Sequence, residues 1–207
     1  MLPIDTTTYA FTKNYRKRTQ PIKRIILHWD VGVDVTGDKI IDAADTYKIL
    51  LNRGLSTHFT VDNDGTIYQM LNPLLVAYHA GMWNGTSIGV DICNIVQPIN
   101  DKTKKHYKDN WGDRPIIASM KLNGAKYTNF FGFYDKQISQ TLRLIDYLCD
   151  TYNIKKIIPS KLYETCISSL EWEGVCGHYH VEKKKWDPLS FPFEKIKIEP
   201  PQATRQS

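Results

Sequence analysis

At 207 residues, the chain is long enough for one well-cored domain. Its 42% hydrophobic and 24% charged content is that of an ordinary soluble globular protein. The formal charge of +5 is mildly basic. It lacks the strong bias of a dedicated nucleic-acid binder and is compatible with an anionic polymer as substrate or surroundings. No run reaches the eighteen or so apolar residues of a membrane helix, so no membrane partner is expected. Met1-Leu2-Pro3-Ile4-Asp5-Thr6 has no basic region followed by an apolar core, so no signal peptide is expected either. The four cysteines (Cys93, Cys149, Cys166, Cys176) contain no Cys-x-x-Cys pair. Their irregular spacing in a chain of this size reads as free, mostly buried thiols rather than a disulfide framework.

Residues 1–20 are polar and mixed, an N-terminal arm with a short helix or turn. Ile22-Lys23-Arg24-Ile25-Ile26-Leu27-His28-Trp29-Asp30 reads as a buried central strand, with His28 at its C-terminal end, where α/β sheets place functional groups. Asp34 to Gly37 looks like loop. Asp42 to Arg53 has helical spacing, with Ala43, Ala44, Tyr47, Leu50 and Leu51 on one side and Gly54 as a stop. Ser56–Val61 alternates like a strand, Asn63-Asp64-Gly65 is a turn signal, and Thr66–Met70 is the return strand. Val76 to Gly81 leads into a loop, and Ser87 to Cys93 is another buried strand. From Gln97 to about Thr128 there is no sustained periodicity, and the stretch reads as an insertion or long loop that lines a groove with Trp111 and Tyr127. Phe130 to Tyr134 suggests a short edge strand. Asp135 to Tyr152 is the clearest helix, with Ile138, Leu142, Ile145 and Leu148 on one face and Asp135 as its cap. Ile154 to Ile158 is a short strand or loop entry, and 159–173 an irregular connection. Val175-Cys176-Gly177-His178 is the last strand. Ser190 to Ile196 starts a terminal helix or turn, and a frayed tail begins at Glu199. The expected architecture is one α/β domain spanning residues 1–207: a central mixed β-sheet flanked by helices, with an insertion around 97–130.

The chemistry converges on Gly177-His178 and Lys185-Trp186-Asp187-Pro188, near the end of the chain. A catalytic zinc site keeps three protein ligands and one open position, and ligands at the ends of separate strands can converge in space. Taken one at a time, each of the six histidines (His28, His58, His79, His106, His178, His180) is more often a packed or solvated side chain than a ligand. His180 shares the strand parity of His178 and is a candidate for a supporting position behind the ligands. Cys176, two residues before His178, is an alternative ligand. Lys183 to Lys185 alone reads as a solvated turn.

Four segments, in order, resemble the zinc-dependent N-acetylmuramoyl-L-alanine amidases of the type-2 amidase family, which includes amidase-type phage lysozymes, muropeptide amidases and peptidoglycan recognition proteins. These are Ile25-Ile26-Leu27-His28; the hairpin from Ser56-Thr57-His58-Phe59 to Gln69; Tyr78-His79-Ala80-Gly81 with Asn84 and Ser87-Ile88-Gly89-Val90-Asp91; and Gly177-His178 with Lys185-Trp186-Asp187-Pro188. The resemblance covers about residues 22–96 and 135–196. It implies a Zn²⁺ cofactor on His28, His178 and Asp187, and a surface groove beside it. Lys185 matches the lysine that stabilises the oxyanion. Asp91 stands where members without the hairpin tyrosine keep a glutamate acting as general base. His79, Asn84 and Thr57 match positions toward the substrate. The chain departs from the family pattern at Thr57, a tyrosine in many members, and at Asp91, one methylene shorter than glutamate.

The resemblance implies a peptidoglycan hydrolase that cuts the amide between N-acetylmuramic acid and L-alanine of the stem peptide. Peptidoglycan or a muropeptide would be its partner, in a bacteriolytic, endolysin-like role or as a cytoplasmic recycling enzyme. The competing expectations are a non-catalytic peptidoglycan-binding module, which the intact ligand triad argues against, and a zinc hydrolase of another amide.

Overall fold

The computed structural model of the chain describes residues 2–29, 41–95 and 99–198. The expected loop at 34–37 and the tail from 199 lie outside the described residues.

The N-terminal arm turns at Asp5, whose Oδ1 accepts hydrogen bonds from the backbone of Thr7 and Thr8. It holds no helix; strand β1 (Tyr15–Lys17) forms instead, pairing antiparallel with Leu75–Ala77. All three β1 side chains are exposed. The arm is therefore fixed by its backbone ladder, which the side-chain pattern does not report.

Strand β2 (Arg24–Trp29) is buried at all six positions. Helix α1 (Ala43–Asn52) starts where Asp42 accepts from the backbone N–H of Asp45. It stops before Gly54, whose φ of +70° suits glycine. The predicted hairpin is strands β3 (Phe59–Val61) and β4 (Ile67–Gln69) around Gly65 at φ +84°. Strand β5 (Leu75–Ala77) and a 3-10 turn (Gly81–Thr86) lead into strand β6 (Ser87–Ile92), buried throughout.

The segment expected as an insertion or long loop carries regular structure from residue 101 on. Helix α2 (Asp101–Trp111) begins with a reciprocal capping pair between Asn100 and Thr103, and strands β7 (Ile116–Leu122) and β8 (Ala125–Phe131) form an antiparallel ribbon. The strand expected at Phe130–Tyr134 thus begins earlier and ends at Phe131. Arg114 anchors this unit. Its guanidinium donates to Gly132 O, Asn63 Oδ1, Cys93 O and Gln137 Oε1, beneath the rings of Tyr107 and Tyr134.

Helix α3 (Asp135–Tyr152) has the expected bounds. Its cap is Tyr134, whose N–H donates to Gln137 Oε1, and Asp135 lies in the first turn, where a carboxylate favours the helix dipole. Residues 154–158 form no strand. Strand β9 (Gly174–Gly177) ends one residue early, and His178–Val181 is a single-turn helix, α4. A last 3-10 turn spans Phe193–Lys195.

Five strands form one mixed sheet in the order β4-β3-β6-β2-β9. β2 runs parallel to both β6 and β9, β3 parallel to β6, and β4 antiparallel to β3. The alternation of side chains sorts the two faces. Ile25, Leu27 and Trp29 join Ile88, Val90, Ile92 and Val175 against Leu144, Ile145 and Leu148 of α3. Each such side chain stabilises the fold by about 1.5–3 kcal/mol through burial. The opposite parity carries Ile26, His28, Asp91 and Cys93. Thr46 of α1 meets Cys93 there, so α1 covers that second face. The sheet is therefore sandwiched between helices, and the polar residues near its C-terminal strand ends face the α1 side.

Candidate metal centre

His28, next to last in β2, stands directly beside Asp91 of β6, its partner in the parallel register. His178 follows β9, whose Gly177 pairs with Leu27. Asp187, nine residues on, returns to the same point because the Asp187–Pro188 segment crosses closely over Gly177. A Cβ at position 177 would lie 2.9 Å from Pro188 Cδ, and the Tyr179 N–H donates to Asp187 O. Three strand ends and one crossing loop thus converge.

One oxygen of Asp187, Oδ2, lies 3.0 Å from His28 Nδ1 and 3.1 Å from His178 Nδ1. The two imidazole rings are 4.6 Å apart and inclined at 71°. Ligand atoms of the three residues all fall within 4.8 Å of one another, the one such His/Cys/Asp/Glu group among the described residues. Two imidazole nitrogens and a carboxylate oxygen are the donor types of a three-ligand zinc site, and the three already face one common point. The residues therefore fit the ion.

The electrostatics agree. Burial works against charge on His28, but the hydrogen bond to Asp187 and the charges of Asp91 and Asp187 outweigh it and raise its pKa. Burial and the neighbouring His28 lower the pKa of His178. Burial would raise the Asp187 carboxyl, yet the two histidines hold it well below the usual carboxylate range. Asp91 is different: burial dominates and raises its pKa, against the charge of His28 and a hydrogen bond from Thr57.

The centre opens into a cleft of about 330 Å³. Trp29, Trp186, Ile49 and Leu50 supply apolar walls, and Arg53, Lys184 and Lys185 supply cationic ones; His79, Asp91 and the three ligand candidates complete it. Trp186 is braced by an edge-on Trp29 at 4.9 Å and a stacked Tyr127 at 4.9 Å. The expectation that Tyr127 belongs near the groove therefore meets an indirect role, as support for a wall residue.

Other expected site residues lie behind the cleft. Thr57 is fully buried beside Asp91, whose pKa it works to lower, and its hydroxyl lies 3.4 Å from Phe59 O. Asn84 Oδ1 accepts from the backbone N–H groups of His79 and Ala80, so it shapes the turn. Neither lines the cleft. His79 borders the cleft, but its ring is hydrogen-bonded to His28 Nε2 at 2.9 Å. His180 is not on a strand. Its Nδ1 accepts from the Gly177 N–H and its Nε2 donates to Leu162 O, away from the cluster. Cys176 packs with Ile26, Ala80 and Trp83, and burial pushes its thiol far up; it is not a ligand. Glu182, overlooked in the sequence, stands 3.4 Å from His178 Nε2. Its i, i+4 spacing from His178 carries that signal only once residues 178–181 are read as helix.

The sequence profile of the family described as Amidase_2, N-acetylmuramoyl-L-alanine amidase, matches residues 18–190. The chain belongs to that family. Among solved structures it is similar to the endolysin N-acetylmuramoyl-L-alanine amidase LysCS from Clostridium intestinale URNW, at 21% identity and a TM-score of 0.56, with 95% of this chain and 94% of that one covered. It is also similar to AmiD from E. coli, solved with anhydro-N-acetylmuramic acid-L-Ala-D-gamma-Glu-L-Lys. That match has 18% identity and a TM-score of 0.52, and covers 93% of this chain and 63% of that one. These likenesses establish the shared fold. No curated protein sequence matches. Among the described residues, no helix is long and apolar enough to cross a membrane.

Proposed function

We propose that the chain is a zinc-dependent peptidoglycan amidase that cuts between N-acetylmuramic acid and L-alanine of the stem peptide. The observation that carries this reading is the convergence of His28, His178 and Asp187 at the floor of a cleft, within a chain of the amidase family. When bound there, zinc supplies Lewis acidity, lowering the pKa of water and polarising an amide carbonyl.

The chain's own residues supply the rest. Asp91 beside His28 takes the proton of the attacking water. Its raised pKa makes it a stronger base than a solvated carboxylate and fits it to hand that proton on to the leaving amine. Lys185, on the cleft wall, places its ammonium where negative charge develops on the carbonyl oxygen. Trp29 and Trp186 exclude water and offer apolar faces to the substrate. Arg53 and Lys184 give the rim a positive field suited to the carboxylates of a stem peptide. Thr57 acts through Asp91, by orienting its carboxyl.

The setting we propose is that of a lysin released to the cell wall, which the likeness to an endolysin over nearly its full length supports. The test is mass spectrometry of digested peptidoglycan. Stem peptides with a free L-alanine amine are expected. Intact peptidoglycan that nevertheless retains the protein would assign a binding module instead, and cleavage of other amides alone would assign another substrate.

A further inference from the structure

His79 is spent on neither substrate nor core. Its ring is pinned at both nitrogens, and those two contacts fix the state of the ligand in front of it. The Ser87 hydroxyl donates to Trp83 O at 2.8 Å. A hydroxyl has a single proton, so toward His79 Nε2, 3.0 Å away, Ser87 Oγ accepts. His79 therefore carries its proton on Nε2 and presents a bare Nδ1. That Nδ1 lies 2.9 Å from His28 Nε2, which must donate to it. The remaining nitrogen, His28 Nδ1, faces Asp187 Oδ2, which also faces His178 Nδ1; a carboxylate oxygen only accepts, so without the ion Nδ1 donates to it, and that proton is the one a metal would displace.

The local sequence is built around this ring. A Cβ at position 89 would lie 2.8 Å from His79 Cγ and Nδ1, so Gly89 makes the room in which the ring stands. Asn84 Oδ1 holds the backbone N–H of His79 at 3.1 Å and of Ala80 at 2.6 Å, fixing the ring's point of attachment. The His79–Gly81 turn, Asn84, Ser87 and Gly89 thus form one device.

We infer that His79, held by Ser87, is a positioning residue that locks His28 in the Nε2–H tautomer and so reserves His28 Nδ1 for the metal. The inference rests on the zinc reading above and adds a residue that acts through a ligand. With the opposite His79 tautomer, its Nδ1–H would donate to His28 Nε2, drive the His28 proton onto Nδ1 and block the ligand position. Partners behind ligating histidines are worth roughly 10–100-fold in metal affinity. Glu182 behind His178 is the parallel case, on a more exposed side chain.

Zinc affinity, measured by competition against a chelating dye, tests this without reference to activity. His79→Phe keeps a ring of similar shape and removes the acceptor; it should weaken zinc binding roughly 10–100-fold. His79→Asn restores an acceptor oxygen near the position of Nδ1 and should stay within about fivefold of the unaltered protein. Equal loss in both would overturn the inference, because an acceptor restored at that position would then do nothing for zinc binding. Zinc binding unchanged in His79→Phe would overturn the inference while leaving the metal centre intact. An unaltered protein that binds no zinc would overturn both. A second measurement needs no variant: long-range ¹H–¹⁵N spectra of the unaltered protein report the His79 tautomer, for which Nε2–H is expected and Nδ1–H would refute the assignment.

Discussion

His58 offers a perturbation whose size can be worked out before any experiment. The side chain is fully buried. Its Nδ1 accepts from the Gly89 N–H at 2.9 Å and its Nε2–H donates to Leu75 O at 3.1 Å, so both nitrogens are committed in the neutral form. Burial, reinforced by the Arg18 guanidinium 3.4 Å away, holds the pKa down at about 3, against 6.5 for a free imidazole. The unfolded chain binds this proton from pH 6.5 downward and the folded chain does not, so stability falls as the medium is acidified. The loss is about 1.4 kcal/mol for each pH unit between 6.5 and 3, or about 2.7 kcal/mol at pH 4.5. His58→Asn keeps an acceptor for Gly89 and cannot titrate. It should start less stable at pH 7, having lost the bond to Leu75, but should lose about 2.7 kcal/mol less than the unaltered protein on going to pH 4.5. Urea unfolding of both proteins at the two pH values, with a chelator present to remove metal linkage, gives this difference of differences. Parallel losses, within about 0.5 kcal/mol, would refute the assignment of a neutral buried His58.

Three further outcomes follow from the site and its scaffold. Lys185→Ala should cut the hydrolysis rate by about 10²–10³ while zinc content is unchanged, as measured by steady-state kinetics beside elemental analysis; an unaffected rate removes Lys185 from the chemistry. Asp91→Asn should lower the rate by about 10²–10⁴ and leave zinc bound, because the proposal makes Asp91 a base beside the centre and not a ligand. Arg114→Ala removes four hydrogen bonds from a buried guanidinium and should cost at least about 3 kcal/mol in urea unfolding; a loss below 1 kcal/mol would show that the α2 and β7–β8 unit is held elsewhere.

The parts of the fold legible in the sequence are those whose side chains are sorted by burial. β2 carries an apolar run because both its faces are covered, and α3 shows a full helical period over eighteen residues. The 97–134 region was opaque for the converse reason. α2 buries only Thr103 and Tyr107 among many lysines, and the β7–β8 ribbon exposes most of its side chains, so neither imprints a period. α4 has four residues, barely more than one helical turn, and its histidines could not be told from a strand continuation. The ligand candidates were readable because resemblance supplied their order. The roles of Asn84, Ser87, Gly89 and Thr57 were not, since the first three act on His79 and its turn through contacts that carry no helical or strand period, and Thr57 meets Asp91 only after the strands align.

The most direct test of the zinc centre is a single digestion series. Protein stripped with a chelator is incubated with peptidoglycan, before and after one equivalent of Zn²⁺ is returned, and released stem peptides beginning with L-alanine are counted by mass spectrometry. The arrangement of His28, His178 and Asp187 predicts no release without metal, recovery with it, and no recovery in Asp187→Ala. Full release by the metal-free protein would contradict it.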